Sequence, residues 1–139
     1  MHVSDSELTQ LMANAQVIAA VGLTSNPQTD PYRVASYQQS QGYRVIAVNR
    51  EGETVLGHPS VQHVHDIQEP VDIVEVAGNS RHVADVVQDA IRANAKVLWL
   101  DKGVYDPAAI AQAEQAGLKV VSNKRFDVEH RRLLAHKQM

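Results

Sequence analysis

Apolar residues follow two rhythms along this chain. Five short runs, residues 17–22, 44–49, 71–77, 96–100 and 119–121, are nearly continuous in Val, Ile, Ala and Leu. Runs of that length and β-branched content read as strands buried on both faces. Between them the apolar positions recur at helical spacing. Leu8, Leu11, Met12 and Ala15 mark a helix over 4–15, opened by the capping box Ser4-x-x-Glu7. Asp30-Pro31, read as an N-cap and a first-turn proline, starts a helix through Val34, Ala35 and Tyr37 to 41. Ser80 is placed to cap a helix carrying Val83, Ala84, Val86, Val87, Ala90 and Ile91, and Asp106-Pro107 opens another. A last amphipathic helix takes in Val128, Leu133 and Leu134. Residues 52–70, with Gly57, Pro59 and three histidines, read as an irregular crossover holding at most a short helical turn.

One local pattern occurs three times: Gly42-Tyr43-Arg44-Val45-Ile46, Asn94-Ala95-Lys96-Val97-Leu98 and Gly117-Leu118-Lys119-Val120-Val121. Gly and Asn readily take the left-handed conformation that closes a helix, so each copy reads as helix, tight turn, buried strand. Units of this kind build a parallel sheet with helices on both faces. The expected fold is therefore α/β, a three-layer, doubly wound, five-stranded parallel sheet of Rossmann-like type. Its expected strand order is 3-2-1-4-5, with 2-1-3-4-5 as the competitor and the leading helix on a sheet edge. Such sheets bind ligands at the carboxyl ends of their strands, so the residues just after each strand carry the functional information.

Composition narrows the ligand class. A chain of 139 residues, 44% hydrophobic, is expected to form one domain over residues 1–139 with a real core. With 13 basic and 16 acidic residues the net charge is -3, which leaves no broad electropositive surface for nucleic acid. Any anion must be held locally. The absence of cysteine excludes disulfides, thiolate metal sites and cysteine nucleophiles. No apolar run approaches the roughly 20 residues of a membrane span, and the amino terminus lacks signal-peptide blocks, so a soluble cytoplasmic protein is expected.

The first strand-to-helix loop is the natural phosphate site. Gly22 lets the backbone approach a ligand, and Thr24, Ser25 and Asn26 offer short hydrogen-bonding groups. The pattern is neither G-x-G-x-x-G nor a P-loop. At the end of the second strand, where a fold for NAD carries Asp or Glu, stand Asn49 and Arg50. A cation there suits a ribose phosphate such as that of NADP or coenzyme A. Lys124 and Arg125, just past the fifth strand, are further anion candidates. Asp101-Lys102 pairs a carboxylate with an amine but reads as a solvated loop pair, and His130 has no oriented nucleophile near it in sequence. His58, His63 and His65 with Asp66 lack a sequence-distant fourth ligand, so no metal site is expected.

A family resemblance covers nearly the whole chain. Residues 17–22 with Leu23-Thr24, then Tyr32-Arg33-Val34-Ala35 and Gly42-Tyr43-Arg44-Val45-Ile46-Ala47-Val48-Asn49, open the match. It continues through Leu56-Gly57, Asp66-Ile67, Pro70-Val71-Asp72-Ile73-Val74, Ala95-Lys96-Val97-Leu98-Trp99 with Gly103-Val104, Ala116-Gly117-Leu118 and Glu129-His130-Arg131-Arg132-Leu133. In this order the motifs resemble the small stand-alone CoA-binding domain proteins, which are similar to the N-terminal CoA-binding domain of the succinyl-CoA synthetase α chain. The resemblance implies a Rossmann-like fold binding coenzyme A, with its phosphates near the first loop. The matching positions are Gly22, Leu23, Thr24, Ser25, Tyr32, Arg33, Val48 and Asn49.

Departures from the family pattern cluster at the strand ends. They fall at Thr29, Asp30 and Pro31, at Arg50 in place of a proline, at Ala77-Gly78 in place of an aromatic-arginine pair, at Asp101 or Lys102, and over Lys124-Arg125-Phe126-Asp127. Scaffold positions match better than ligand positions. The expected function is non-catalytic binding of CoA or an acyl-CoA, by Gly22, Leu23, Thr24, Ser25, Tyr32, Arg33, Val48, Asn49, Arg50 and Lys124. The alternative is an enzyme using NADP or an acyl-CoA, with Asp101, Lys102 or His130 in proton transfer. In a chain this short, the partner in a homodimer would have to complete such a site.

Overall fold

The computed structural model describes residues 3–78 and 82–134. In chain order they form α1 (Asp5–Asn14), β1 (Val17–Val21), α2 (Asp30–Ser40), β2 (Arg44–Val48), the two-residue strands β3 (Thr54–Val55) and β4 (His58–Pro59), and a 3-10 turn (Val64–Asp66). Then come β5 (Ile73–Val76), α3 (Val83–Arg92), β6 (Val97–Leu100), α4 (Pro107–Gln115), β7 (Lys119–Val121) and α5 (Phe126–Leu133). The main sheet runs β2-β1-β5-β6-β7, with every pair parallel.

Counting only these five strands, the order is 2-1-3-4-5. The doubly wound α/β fold is as expected, and the 3-2-1-4-5 order is corrected to its competitor. The reason lies at the outer edge of β2. There the Val61 N–H donates to Ala47 O at 3.0 Å and the Asn49 N–H to Val61 O at 2.9 Å. The crossover thus covers the edge that a third strand would have used, and β5 pairs with β1 instead, from Ile18↔Ile73 to Val21↔Val76.

The crossover is more ordered than its composition implies. β3 and β4 pair as an antiparallel hairpin whose two turn residues, Leu56 at φ 51° and Gly57 at φ 86°, are both left-handed. That is the backbone a two-residue hairpin turn requires, and Leu56 adopts it without the freedom of glycine.

Alternation along each strand sorts side chains into two cores. Val17, Ala19, Ile46, Val48, Val74, Val76, Leu98 and Leu100 pack with Val87 and Ala90 of α3 and Ala109 and Ala113 of α4. On the other face Ile18, Ala20, Val45, Ala47, Ile73, Val97 and Trp99 pack with Leu8 and Met12 of α1, Val34 of α2 and Phe126 of α5. Helix α1 therefore covers a face of the sheet beside α5, not an edge. Trp99 is fully buried, with its ring 4.9 Å from that of Phe126 and its indole N–H donating to Lys124 O at 2.8 Å.

The three helix-closing residues are left-handed as expected, Gly42 and Gly117 at φ 95° and Asn94 at φ 57°. Two helix starts differ from the sequence reading. Helix α2 is preceded by Thr29, which makes no side-chain cap bond, so Asp30 lies inside the first turn. Ser80 lies outside the described residues, and α3 begins after His82 at φ 61°. The Asp106 cap is present, accepting from the Ala109 N–H at 3.0 Å.

Candidate functional site

Strand β1 leads into α2 on one face of the sheet, while β5 leads into α3 on the other. Between their carboxyl ends the sheet changes winding direction, and the chain leaves a crevice there. Gly22 turns out of β1 at φ 93°, its N–H donating to Val48 O at 3.2 Å. On the α3 side a crevice of about 470 Å³ is lined by Val21, Val48, Arg50, His63, His82 and Asp85, among others. On the opposite side Leu23, Pro31, Glu75, Ala77 and Asp101 surround a much narrower hollow.

The loop after β1 is held from several directions. Leu23 is buried, and its carbonyl accepts from Asn49 Nδ2 at 2.7 Å. The Asn49 Oδ1 in turn accepts from the Glu51 N–H at 3.0 Å and from Ser60 Oγ at 3.3 Å. Asn49 therefore ties the first loop, the end of β2 and the crossover together, a scaffold role with little left for a ligand. Thr24 Oγ1 accepts from the Asn26 N–H at 3.4 Å. The exposed Ser25 gives its N–H to Glu53 Oε1 at 2.9 Å and its hydroxyl to Glu53 Oε2 at 3.0 Å.

The cations divide into committed and available groups. Arg125 forms a two-pronged pair with the buried Asp127, at 2.8 and 3.2 Å, and reaches Asp30 at 3.6 Å. Arg33 pairs with Asp30 at 3.2 Å. Tyr32 and Arg33 line a shallow surface on the flank of α2 with Pro27 and Tyr37, apart from the α3-side crevice. Lys124 lies 3.9 Å from Glu129, at the limit of an ion pair. Arg50 is exposed and has no ion-pair partner among the described residues. Asp30 further places a carboxylate in the first turn of α2, the end that an anion would otherwise use.

Two carboxylates outside the sequence expectation belong to this region. Glu75 stands at the third position of β5 and, by register with Ala20 and Trp99, points under α2 and α5. Its Oε2 accepts from Gln38 Nε2 at 2.9 Å. Burial, helped by the nearby Asp101 and Asp127, raises its carboxyl to about 8 against the hydrogen bond from Gln38, so it is neutral at pH 7. The signal was present in the sequence as the one charge in the run Ile73-Val74-Glu75-Val76. Asp101 is also raised by burial, opposed by hydrogen bonds from the Lys102 and Gly78 N–H groups. Gly78 allows that approach, since a Cβ there would meet Lys102 O at 3.1 Å. The other missed carboxylate is Glu53, whose role depended on a hairpin that composition did not reveal.

His130 and His65 are tied into the scaffold. His130 is buried against Phe126 and Tyr43, bonded through Nδ1 to the Tyr37 hydroxyl at 2.7 Å, and burial lowers its pKa. His65 pairs with Asp89 through Nδ1, and Asp89 also accepts from the Val64 N–H at 2.6 Å, fastening the 3-10 turn to α3. His63 stacks on His65 at 5.1 Å. Among the described residues no cluster of three His, Cys, Asp or Glu side chains is arranged to hold a metal ion.

Residues 16–131 match the model of the CoA binding domain. The chain belongs to the CoA-binding domain family. It is 28% identical over 127 residues to the YneT protein of Bacillus subtilis (strain 168), covering 91% of this chain and 94% of the other. Among solved structures, a hypothetical protein from Pyrococcus horikoshii OT3 superposes with a TM-score of 0.92 at 32% identity, covering 96% of this chain and 94% of that one. A Thermus thermophilus protein, cell-free ID.343, does so with a TM-score of 0.90 at 31% identity, over 95% and 100%. Among the described residues no helix is long and apolar enough to cross a membrane.

Proposed function

We propose that residues 1–139 act as one non-catalytic domain that binds coenzyme A, or an acyl-CoA, at the carboxyl ends of β1, β2 and β5. The observation that carries this reading is Arg50, exposed at the end of β2, without an ion-pair partner among the described residues, on the wall of the crevice that opens at the switch point. A guanidinium in that position suits the 3'-phosphate of CoA, which NAD lacks. Ser25 adds a second argument. Its N–H and hydroxyl already grip a carboxylate, so the first loop presents donors with the spacing an anion needs. Gly22, Leu23, Thr24, Ser25 and Val48 then line the phosphate path, Arg50 and Lys124 supply charge, and Asn49 positions the loop.

The non-catalytic reading is supported by the commitments of the proton-transfer candidates. His130 is packed and bonded to Tyr37, and Asp101 accepts backbone N–H groups. A second reading, an enzyme acting on a bound nucleotide cofactor such as NADP or an acyl-CoA, rests on Glu75, a half-buried carboxyl raised to about 8, beside Asp101 at the same strand ends. A partner in a homodimer would have to complete that site. Calorimetric titration with CoA, with NAD and NADP in parallel, tests the proposal. Saturable CoA binding without NAD binding supports it, and no heat at concentrations that would reveal a dissociation constant of about 100 μM contradicts it.

A further inference from the structure

The grip of Ser25 on Glu53 bears on how a phosphate enters the first loop. Both carboxylate oxygens are used, one on a main-chain N–H at 2.9 Å and one on the hydroxyl at 3.0 Å. Glu53 comes from the mouth of the β3–β4 hairpin, 28 residues further along the chain, and its backbone is held separately, its carbonyl accepting from the Ser60 N–H at 2.9 Å. The carboxylate can therefore leave Ser25 by side-chain rotation alone, with the hairpin in place. A phosphate has the same geometry of adjacent anionic oxygens, and two anions cannot share two donors at this distance without strong repulsion. Glu51, two residues earlier and exposed, adds to the negative field around the loop.

We infer that the Glu53 carboxylate is a built-in occupant of the phosphate-binding loop, which the phosphate of an incoming ligand must displace from Ser25. The inference rests on the CoA reading for the identity of the ligand, but not for the displacement itself. Glu53 thereby sets the affinity of the loop and selects for ligands whose phosphate carries enough charge to compete. An uncharged or singly hydrogen-bonding group does not dislodge it.

The test compares the wild-type protein with E53A. CoA is titrated into each by calorimetry, and inorganic pyrophosphate is titrated while the Ser25 amide is followed by NMR. Removing the competing carboxylate is expected to tighten CoA binding about fivefold, the scale of an exposed charge-assisted contact. Pyrophosphate is expected to move the Ser25 amide at lower concentration in E53A than in wild type. Equal or weaker CoA binding by E53A overturns the inference, as does a Ser25 amide in E53A that does not respond to pyrophosphate. If neither protein binds CoA while pyrophosphate still moves Ser25 more readily in E53A, the CoA reading fails and the displacement stands.

Discussion

Gln38 Nε2 donates to Glu75 Oε2 at 2.9 Å beneath α2, joining a helix to the central strand of the sheet through a carboxyl that is neutral at pH 7. Gln38 is wholly buried and its Oε1 has no partner among the described residues, so the proton on Glu75 is the group that can complete a reciprocal acid–amide pair.

That pairing gives stability a definite pH dependence. The folded Glu75 titrates at about 8, against 4.5 in the unfolded chain, so between these values the native state holds a proton that the unfolded state has lost. The contribution of the group to stability is full below pH 4.5, declines as pH rises, and is gone above 8, with each unit of separation worth about 1.4 kcal/mol. Urea midpoints measured from pH 5 to 9 should fall with pH in the wild type, and E75Q should flatten the profile.

Asn49 illustrates a residue whose importance is architectural. Substituting alanine leaves Leu23 O, the Glu51 N–H and Ser60 Oγ without their partner. N49A should lose about 1–3 kcal/mol in denaturant unfolding and should also weaken CoA, because the first loop is no longer held against β2. N49D keeps the acceptor but not the donor to Leu23, and should fall between the two.

The helix-closing positions should behave by backbone conformation alone. Asn94 sits at φ 57°, remote from the crevice, so N94A should cost about 1 kcal/mol and N94G should cost nothing or stabilise slightly. Thermal unfolding reads this directly, and CoA affinity should be unchanged in both variants.

These positions also show what the sequence could reveal. Gly42, Asn94 and Gly117 announce their conformation because few residues tolerate it, and the aliphatic strands announce theirs because burial on two faces favours runs of apolar residues, with Glu75 the exception in β5. The strand order was not legible, since it turned on Val61 pairing along the edge of β2, a contact that leaves no periodic trace. At the site, Gly22 and Arg50 stood out by position after a strand. Arg125 stood out in the same way, while its pairing with Asp127 and Asp30 had no sign in the sequence. Tyr32 and Arg33 carried a motif yet lie on the flank of α2. Ser25 was legible as a pair of hydrogen-bond donors, but the Glu53 carboxylate that it holds arrives from a hairpin formed by two-residue strands too short to leave a pattern.

In the proposed complex Arg50 meets the 3'-phosphate of CoA in the crevice between β1, β2 and α3. Dissociation constants for CoA and dephospho-CoA, measured on wild type and R50A, test it most directly. Wild type should bind dephospho-CoA about tenfold more weakly than CoA, and R50A should lose about tenfold for CoA and almost nothing for dephospho-CoA, as expected for one charge-assisted contact near 1.4 kcal/mol. Equal losses for both ligands, or unchanged CoA binding in R50A, would contradict it.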